Sequence, residues 1–243
     1  MNFYENSAYG KWCEKVYGKD LKQSGMVTYD ELQLMYEHID LKKNSHILDI
    51  GCGIGRMTEE ICEHYRAFAL GIDVDKTMIA SAKEHYCNRK DISFEIMDGS
   101  SLAFGDSKYD LICMLDTIYF NNTSEELNRF LDRCYDTLSP DGKIAIFSSN
   151  VPSNALNIEP LDYHDGICKW ASKHCVKKLS VSLSSKYRNF WQRSFESCLE
   201  LKDIMKTEIP EQFEKLLIKS SVFSDLSRNN PSSMRRWLDI ITR

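Results

Sequence analysis

The sequence predicts an α/β protein built on a doubly wound, mostly parallel, seven-stranded sheet. Short apolar runs typical of buried strands alternate with segments in which apolar residues recur every three to four positions, the period of a helix. The first strand runs directly into three glycines, Gly51, Gly53 and Gly55, and a helix follows them. A strand, a glycine turn and a helix N-terminus in this order are typical of a nucleotide-like binding site at the carboxyl end of a parallel sheet.

Helix-capping residues and the same periodicities locate the other elements. Thr28 and Glu31 have the spacing of a capping box, which predicts a helix beginning there. The spacing recurs at Thr123 and Glu126, and Asp75 suits the N-cap of another helix. The predicted strands are residues 47–50, 68–73, 92–96, 109–115, 143–147, 178–183 and 237–241, and the predicted helices include 8–18 and, broken near Pro210, most of 185–227.

Two acids beside the glycine turn narrow the kind of ligand. Asp73 ends the second strand about twenty residues beyond the glycines, where an acid reaches ribose hydroxyls. A nicotinamide dinucleotide and S-adenosylmethionine both fit this feature. The dinucleotide pattern is G-x-G-x-x-G, whereas this chain has G-x-G-x-G preceded by Asp49. A carboxylate repels a pyrophosphate and attracts the ammonium of a methionine moiety, so the pattern favours S-adenosylmethionine.

The segment 49–55, Asp-Ile-Gly-Cys-Gly-Ile-Gly, resembles the first motif of class I S-adenosylmethionine-dependent methyltransferases. Residues 71–75, 97–99 and 138–142 resemble the second and third motifs of that family and its turn into the fifth strand, although Lys143 stands where the family more often has a second glycine. The resemblance covers residues 45–149 and implies a Rossmann-like sheet whose last strand is antiparallel. The cofactor-binding residues that it implies are Asp49, Gly51, Cys52, Gly53, Gly55, Asp73, Val74, Asp98, Gly99 and Leu115.

The resemblance also implies a role for the three acids of that set. Asp49 would hold the methionine ammonium, Asp73 the ribose hydroxyls and Asp98 the adenine amino group. Each has an ordinary alternative as a turn residue at the end of a strand.

Three residues are candidates for work on the methyl acceptor. Asp116 and Tyr119 follow the fourth strand, the point that faces the transferable methyl group in the family, and either one suits an amine. Their spacing resembles the D-P-P-Y motif of enzymes that methylate nucleobase amines, but both prolines are missing. His164 lies in a predicted loop and is a candidate general base. A helix cap, core packing and an exposed loop histidine are the alternatives for these residues.

The segments outside the motifs are predicted to form a lid and a cap over the cofactor-binding site. We expect residues 1–25 to form an N-terminal lid helix, 26–150 the cofactor-binding core, 151–200 a cap that binds the acceptor, and 201–243 C-terminal helices and a strand that complete the core. Two aromatic stripes either line the acceptor pocket or pack in a core. Their members are Tyr9, Trp12 and Tyr17, then Tyr163, Tyr187, Phe190, Trp191 and Phe195.

Composition limits the partners and the compartment. A net charge of −5 and a pI near 5.7 argue against a nucleic-acid partner. Nine cysteines without any C-x-x-C pair predict reduced thiols in the cytoplasm, and no zinc-ligand spacing is present, so no metal is expected. Neither a signal peptide nor a membrane-spanning run is expected. The sequence does not predict an oligomeric state.

These observations predict an S-adenosylmethionine-dependent methyltransferase of a small molecule, with a preference for a nitrogen acceptor. Because the sulfonium already activates the methyl group, orientation and exclusion of water do most of the remaining work, and no catalytic triad is required. Oxygen and carbon acceptors remain alternatives. So does a module that binds S-adenosylmethionine or S-adenosylhomocysteine without turnover, whereas the glycine spacing and Asp49 disfavour a dehydrogenase.

Overall fold

A computed structural model describes residues 6–23, 25–99, 108–150 and 161–243, and in them the chain forms seven strands and nine α-helices. The strands are β1 (His46–Ile50), β2 (Phe68–Asp73), β3 (Ile92–Ile96), β4 (Tyr109–Leu115), β5 (Leu138–Ser149), β6 (Lys177–Ser182) and β7 (Arg236–Thr242). The helices are α1 (Ser7–Tyr17), α2 (Tyr29–His38), α3 (Arg56–Tyr65), α4 (Lys76–His85), α5 (Ser124–Thr137), α6 (Tyr163–Lys173), α7 (Ser184–Glu200), α8 (Lys202–Glu208) and α9 (Pro210–Asn229).

All seven strands belong to one sheet with the order β3-β2-β1-β4-β5-β7-β6. Strands β1 to β5 pair in parallel. Strand β7 runs antiparallel to β5, because backbone bonds join Asn150 to Arg235 at one end and Gly142 to Arg243 at the other. The predicted doubly wound, mostly parallel sheet is thus confirmed. Its order reverses beside β1, where such sheets bind ligands at the carboxyl ends of the strands.

The predicted helix starts are also confirmed. Thr28 and Glu31 exchange side-chain-to-backbone bonds at 3.1 and 3.3 Å, as a capping box requires. Thr123 and Glu126 form the same reciprocal pair at the start of α5. The carboxylate of Asp75 accepts from the backbone N–H groups of Thr77 and Met78 in the first turn of α4. Among the described residues, no helix has the length and apolar character needed to cross a membrane.

The chain divides into two compact units, of which the first contains the sheet. This sheet unit comprises Met35–Ser148, Leu161–Val181 and Trp237–Arg243. In it, Ile167 and Trp170 of α6 are buried together with Phe130 of α5 against the central strands. Helix α6 therefore packs in the core of the sheet unit, whereas the sequence predicts a cap over 151–200. Residues 151–160 of that predicted cap lie outside the described residues.

The second unit, the helical unit, comprises Met1–Leu34, Ser149–Pro160 and Ser182–Arg236. It contains α1 and α7 to α9, so helices that the sequence assigns to completing the sheet core, within 201–236, belong to a different unit. Only residues 237–243 of that predicted segment belong to the sheet unit.

The aromatic stripes of α1 and α7 form the core of the helical unit. Trp12 and Trp191 are 2% and 3% exposed, and both are buried in one cluster with Tyr9, Tyr187 and Phe190. The hydroxyl of Tyr9 donates to the carbonyl of Gln23 within the same unit. Of the two interpretations of these stripes, core packing is therefore the one that the structure supports for these five residues.

A buried ion pair joins distant parts of the helical unit. The Arg236 Nε atom donates to Glu31 Oε1 at 3.0 Å, and Nη2 donates to Glu31 Oε2 at 3.1 Å. The third guanidinium nitrogen, Nη1, donates to Ser149 Oγ at 2.7 Å. Both charged side chains are 1% exposed. The pair is stable in this buried position because the fork of the guanidinium matches the carboxylate and every nitrogen finds an acceptor.

Removing one charge of this pair should destabilise the helical unit strongly. Arg236→Met would leave the Glu31 carboxylate buried without its cation, which typically costs about 3–5 kcal/mol of unfolding free energy. Urea unfolding followed by circular dichroism measures this change.

Two matched variants serve as controls for the buried pair. Glu200→Gln breaks the exposed pair between Lys15 and Glu200 and should cost less than about 1 kcal/mol. The double variant Glu31→Gln with Arg236→Met removes both charges and should recover part of the loss. An Arg236→Met protein as stable as its parent would contradict the assignment.

Candidate functional site

The glycine turn between β1 and α3 is closely packed at two positions and open at the third. Gly51 and Gly55 have φ angles of +79° and +84°, which side chains rarely adopt. A Cβ atom on Gly51 would lie 2.3 Å from Thr117 Cγ2, and one on Gly55 would lie 2.4 Å from Phe94 Cζ. At Gly53, with φ of +56°, no described atom outside its chain neighbours lies within 4 Å of the Cβ position. The open side of the turn is thus at Gly53.

Asp49 is buried in β1 directly before this turn. Its side chain is 1% exposed, and Oδ2 accepts a hydrogen bond from Thr58 Oγ1 at 2.6 Å. The other oxygen, Oδ1, has no hydrogen-bond partner among the described residues. Burial raises the pKa of this carboxyl from 3.8 to about 6, against the opposing effect of the Thr58 bond. A cationic ligand group would complete this buried, half-satisfied carboxylate.

Asp73 links the end of β2 to the glycine turn. Its Oδ2 atom accepts the backbone N–H of Gly53 at 2.9 Å, and Oδ1 accepts that of Asp75 at 2.9 Å. The sequence places Asp73 at a ribose, but its bond to Gly53 across the strand ends is visible only in the structure. A carboxylate has about four acceptor positions, so both oxygens retain capacity for ligand hydroxyls. The next side chain, Val74, is apolar and 64% exposed.

Residues after β3 lie close to the end of β1. A Cβ atom on Gly99 would be 2.9 Å from Ile50 Cγ2 and 3.4 Å from Phe120 Cζ, so no side chain fits there without displacement. The preceding Asp98 is exposed. This arrangement sets the third predicted motif beside the first, as a shared binding site requires.

The end of β4 carries a conformationally unusual acid. Asp116 has a φ of +62°, a left-handed conformation that is uncommon for residues other than glycine and that occurs frequently at functional sites. The hydroxyl of Tyr119 donates to Asp116 Oδ1 at 3.2 Å, so these two candidates lie together. Thr117 Oγ1 donates to the Ile50 carbonyl at 2.6 Å and fixes this segment against β1. Leu115, the last residue of β4, is half-buried.

Tyr163 is a neighbour of this pair that the sequence motifs did not assign to it. Its ring meets the Tyr119 ring edge-on with centroids 5.3 Å apart, and its hydroxyl donates to the Asn121 carbonyl at 2.8 Å. Burial raises the pKa of the Tyr163 hydroxyl, so the group stays neutral. The only sequence signal was an aromatic residue in the predicted cap, since contacts across 42 residues leave no local pattern.

His164 occupies the first turn of α6, not the loop that the sequence predicts. Its Nδ1 atom lies 2.9 Å from Asp239 Oδ2, and its ring stacks on Trp237 with centroids 3.8 Å apart. Cys168 Sγ lies 3.6 Å from Nε2 and 4.0 Å from Nδ1 of the same ring. The imidazole is therefore directed at β7 and along its own helix, while Asp116 and Tyr119 pair with each other.

The remaining cofactor candidate, Cys52, is a buried neutral thiol. Burial, with the nearby carboxylates of Asp49 and Asp73, raises its pKa far above the ordinary range. Its Sγ atom would lie 2.8 Å from a Cβ on Gly71, so it fills the space between β2 and the turn. Across the described part of the chain, His, Cys, Asp and Glu residues form no group of three or more suited to a metal ion.

Residues 47–142 match the family model described as a methyltransferase domain. Two curated relatives are phosphoethanolamine N-methyltransferases. The protein from Triticum aestivum is 31% identical over 151 residues, covering 60% of this chain and 29% of its own length. The protein from Plasmodium falciparum (isolate 3D7) is 31% identical over 148 residues, which cover 59% of this chain and 54% of that protein's own length. The chain thus spans about half or less of the length of these relatives.

Solved structures share the fold over nearly the whole chain. Phosphoethanolamine N-methyltransferase 2 of Haemonchus contortus, in complex with phosphomonomethylethanolamine and S-adenosylhomocysteine, gives a TM-score of 0.77 at 16% identity, covering 99% of this chain and 59% of that one. The cyclopropane synthase MmaA2 of Mycobacterium tuberculosis gives a TM-score of 0.74 at 12% identity, and the match covers 99% of this chain and 95% of that one.

The family match spans β1 to the start of β5, and those strands carry the glycine turn, Asp49 and Asp73. The sequence motifs, the sheet order and the matched relatives agree, and we conclude that the chain contains a methyltransferase domain of the class I S-adenosylmethionine-dependent family.

Proposed function

We propose that this chain transfers a methyl group from S-adenosylmethionine to the nitrogen atom of a small amine. The observation that carries the proposal is Asp49, whose buried Oδ1 atom has no partner in the described residues and directly precedes the open glycine turn. An α-ammonium group is the cation of S-adenosylmethionine that suits this carboxylate. When bound, the cofactor supplies a methyl group activated by its sulfonium.

The residues around the turn fit the rest of the cofactor. Gly53 has free space on its Cα side, so a ligand can approach the backbone there closely. Asp73 can accept ribose hydroxyls while it keeps the Gly53 N–H bond, and this bond holds the turn in place before any ligand arrives. The exposed apolar side chain of Val74 offers a surface for an adenine ring, and Asp98 an acceptor for its amino group.

The nitrogen preference rests on the pair at the end of β4. A protonated amine must lose a proton before its lone pair can attack a methyl group. The Asp116 carboxylate attracts the ammonium form and is a group that can take this proton, while the Tyr119 hydroxyl bonded to Oδ1 keeps the carboxylate oriented. The Tyr163 ring packed edge-on against Tyr119 supports that orientation. The names of the curated relatives, phosphoethanolamine N-methyltransferases, agree with an amine acceptor.

Asp49→Asn should raise the stability of the ligand-free protein and weaken its binding of the cofactor. The folded-state pKa of Asp49, about 6, lies above the ordinary 3.8, so the folded state prefers the protonated form. Ionisation of Asp49 therefore reduces the free energy of unfolding progressively as pH rises from about 4 to about 6. Above that range the reduction is complete. At pH 7.5 the variant without ligand should be more stable by about 1–3 kcal/mol, with a smaller gain at pH 4.5. Its affinity for S-adenosylhomocysteine should fall at least about tenfold.

Thermal unfolding and calorimetry measure both effects, and Asp91→Asn is the control. The Arg89 guanidinium holds the pKa of Asp91 down to about 2, so this variant should lose stability at pH 7.5. An Asp49→Asn protein that is less stable without ligand and binds S-adenosylhomocysteine as before would overturn the role of Asp49. If NAD raised the melting temperature and S-adenosylhomocysteine did not, the proposed identity of the cofactor would be wrong.

A panel of acceptors tests the nitrogen preference. With labelled S-adenosylmethionine, small primary amines, including phosphoethanolamine, should be methylated at least about tenfold faster than alcohols of similar size. Asp116→Asn should lower kcat by about 10²-fold or more, the usual effect of losing a general base, with little change in cofactor affinity. Tyr119→Phe keeps the ring and should have a smaller effect. Faster transfer to alcohols, or full turnover by the Asp116→Asn variant, would refute the assignment of an amine acceptor. Binding of S-adenosylmethionine without methyl transfer to any acceptor would refute the proposed methyltransferase activity.

A further inference from the structure

A cavity of about 380 Å³ lies at the amino ends of strands β1 to β4 in the sheet unit. Four of the residues that line it are His46, Phe68, Leu70 and Ser93. The strand register sets His46 beside Phe68 and Leu70 beside Ser93, so all four belong to one face of the sheet. The candidate methyl-transfer site lies at the opposite ends of these strands, about 13 Å away along β1.

Aromatic and aliphatic side chains form the apolar part of this cavity. Phe68 is 42% exposed, although its strand lies inside the sheet, between β3 and β1. The Phe68 ring stacks beside the His46 ring, with centroids 5.7 Å apart and an angle of 25° between the planes. Leu70, two residues further along β2, is half-buried. A flat aromatic ligand that packs on these side chains removes their apolar surface from water.

Two lysines give the cavity cationic groups. Lys90 and Lys108 both line it and are exposed, and neither pairs with a carboxylate among the described residues. Lys108 Nζ donates one hydrogen bond to the Asp136 carbonyl, so two of its three N–H donors remain. Asp91 also lines the cavity, but the Arg89 guanidinium engages both of its carboxylate oxygens, at 2.8 and 2.9 Å. The lysines are therefore available to an anionic ligand.

The strand order sets the two lysines on opposite sides of the aromatic surface. Lys90 precedes β3 and Lys108 precedes β4, while β2 and β1 lie between these two strands. Three steps of about 4.8 Å between neighbouring strands separate the starts of β3 and β4 by about 14 Å. Phe68 and His46 begin the two strands in the middle. A compound that lies on their rings can place one anionic group towards each lysine.

We propose that this cavity binds an elongated aromatic compound with an anionic group at each end. The ring packs on Phe68 and His46, and each anionic group accepts hydrogen bonds from one lysine. The volume of the cavity falls within the range of about 300–1,000 Å³ that is usual for small-molecule sites. An inorganic anion gains nothing from the apolar surface, and an uncharged aromatic compound gains nothing from the two charges. The proposed methyl transfer uses none of these residues.

Calorimetric titration with naphthalene-2,6-dicarboxylate tests the site. This dianion should bind at least about threefold more tightly than 2-naphthoate, since exposed charge pairs contribute modestly. In Lys90→Gln or Lys108→Gln only one lysine remains, so the two affinities should converge. Lys202→Gln removes the same charge from an exposed position on α8 and should leave their ratio unchanged. Phe68→Ser should weaken both compounds at least about fivefold through loss of the aromatic contact.

A second measurement locates the ligand on the unaltered protein. Lysine acetylation followed by peptide mass spectrometry should show residues 90 and 108 protected by saturating naphthalene-2,6-dicarboxylate, and residue 202 unprotected. Saturating S-adenosylhomocysteine should leave the affinity for the dicarboxylate unchanged, because the cavity lies at the other end of the strands.

Three outcomes would overturn this assignment. The dicarboxylate could bind no more tightly than uncharged 2-naphthamide, or it could leave the acetylation of residues 90 and 108 unchanged. S-adenosylhomocysteine could also displace it, which would place the aromatic compound in the methyl-transfer site. The first two outcomes do not depend on whether the chain transfers methyl groups.

Discussion

The hydrogen bond from the Gly53 N–H to the Asp73 carboxylate holds the candidate site together. It joins the turn after β1 to the end of β2 at 2.9 Å, and the backbone N–H groups of Gly51 and Cys52 add bonds to the Ile72 carbonyl. Parallel strands share no hairpin, so these bonds are what tie the turn after β1 to the end of β2. Thr117 packs on Gly51 from the side of β4. Three strands thus converge on one turn, and a ligand bound there meets an already formed surface.

Within this surface, Asp49 is a local compromise between folding and binding. A buried carboxylate with one oxygen that no described residue partners opposes the folded state, and its raised pKa expresses that cost. Proteins commonly accept such destabilising groups where a ligand later satisfies them. The Glu31–Arg236 pair shows the contrasting solution, since both of its charges are satisfied inside the protein itself. Buried acids of the same chain therefore serve different ends.

Much of the sheet could be predicted because its signals are local. The second and fourth strands occupy the predicted residues, and the glycines and Asp73 that end β1 and β2 stand directly in the sequence. The local sequence also indicates which face of a helix carries its apolar residues, but it does not indicate which element packs against that face. The stripe of α1 left open whether its aromatic side chains line a pocket or pack in a core, and only the structure shows that they pack against α7. His164 shows the same limit, because its contact with Asp239 spans 75 residues and no periodicity records it.

The division of the chain has a consequence for the order of folding during synthesis. The helical unit draws on three separate stretches of sequence, and its buried salt bridge closes a loop of 205 residues. Helix α1 leaves the ribosome before α7 and α8, the helices that pack on it, and these are complete only when residues up to Glu208 have been made, since synthesis proceeds from the N-terminus. In the interval Trp12 is not yet covered by α7, and such exposed apolar surface is what chaperones bind. The nascent chain must therefore protect this helix until α7 and α8 have emerged, a constraint that a chain with two consecutive domains would escape.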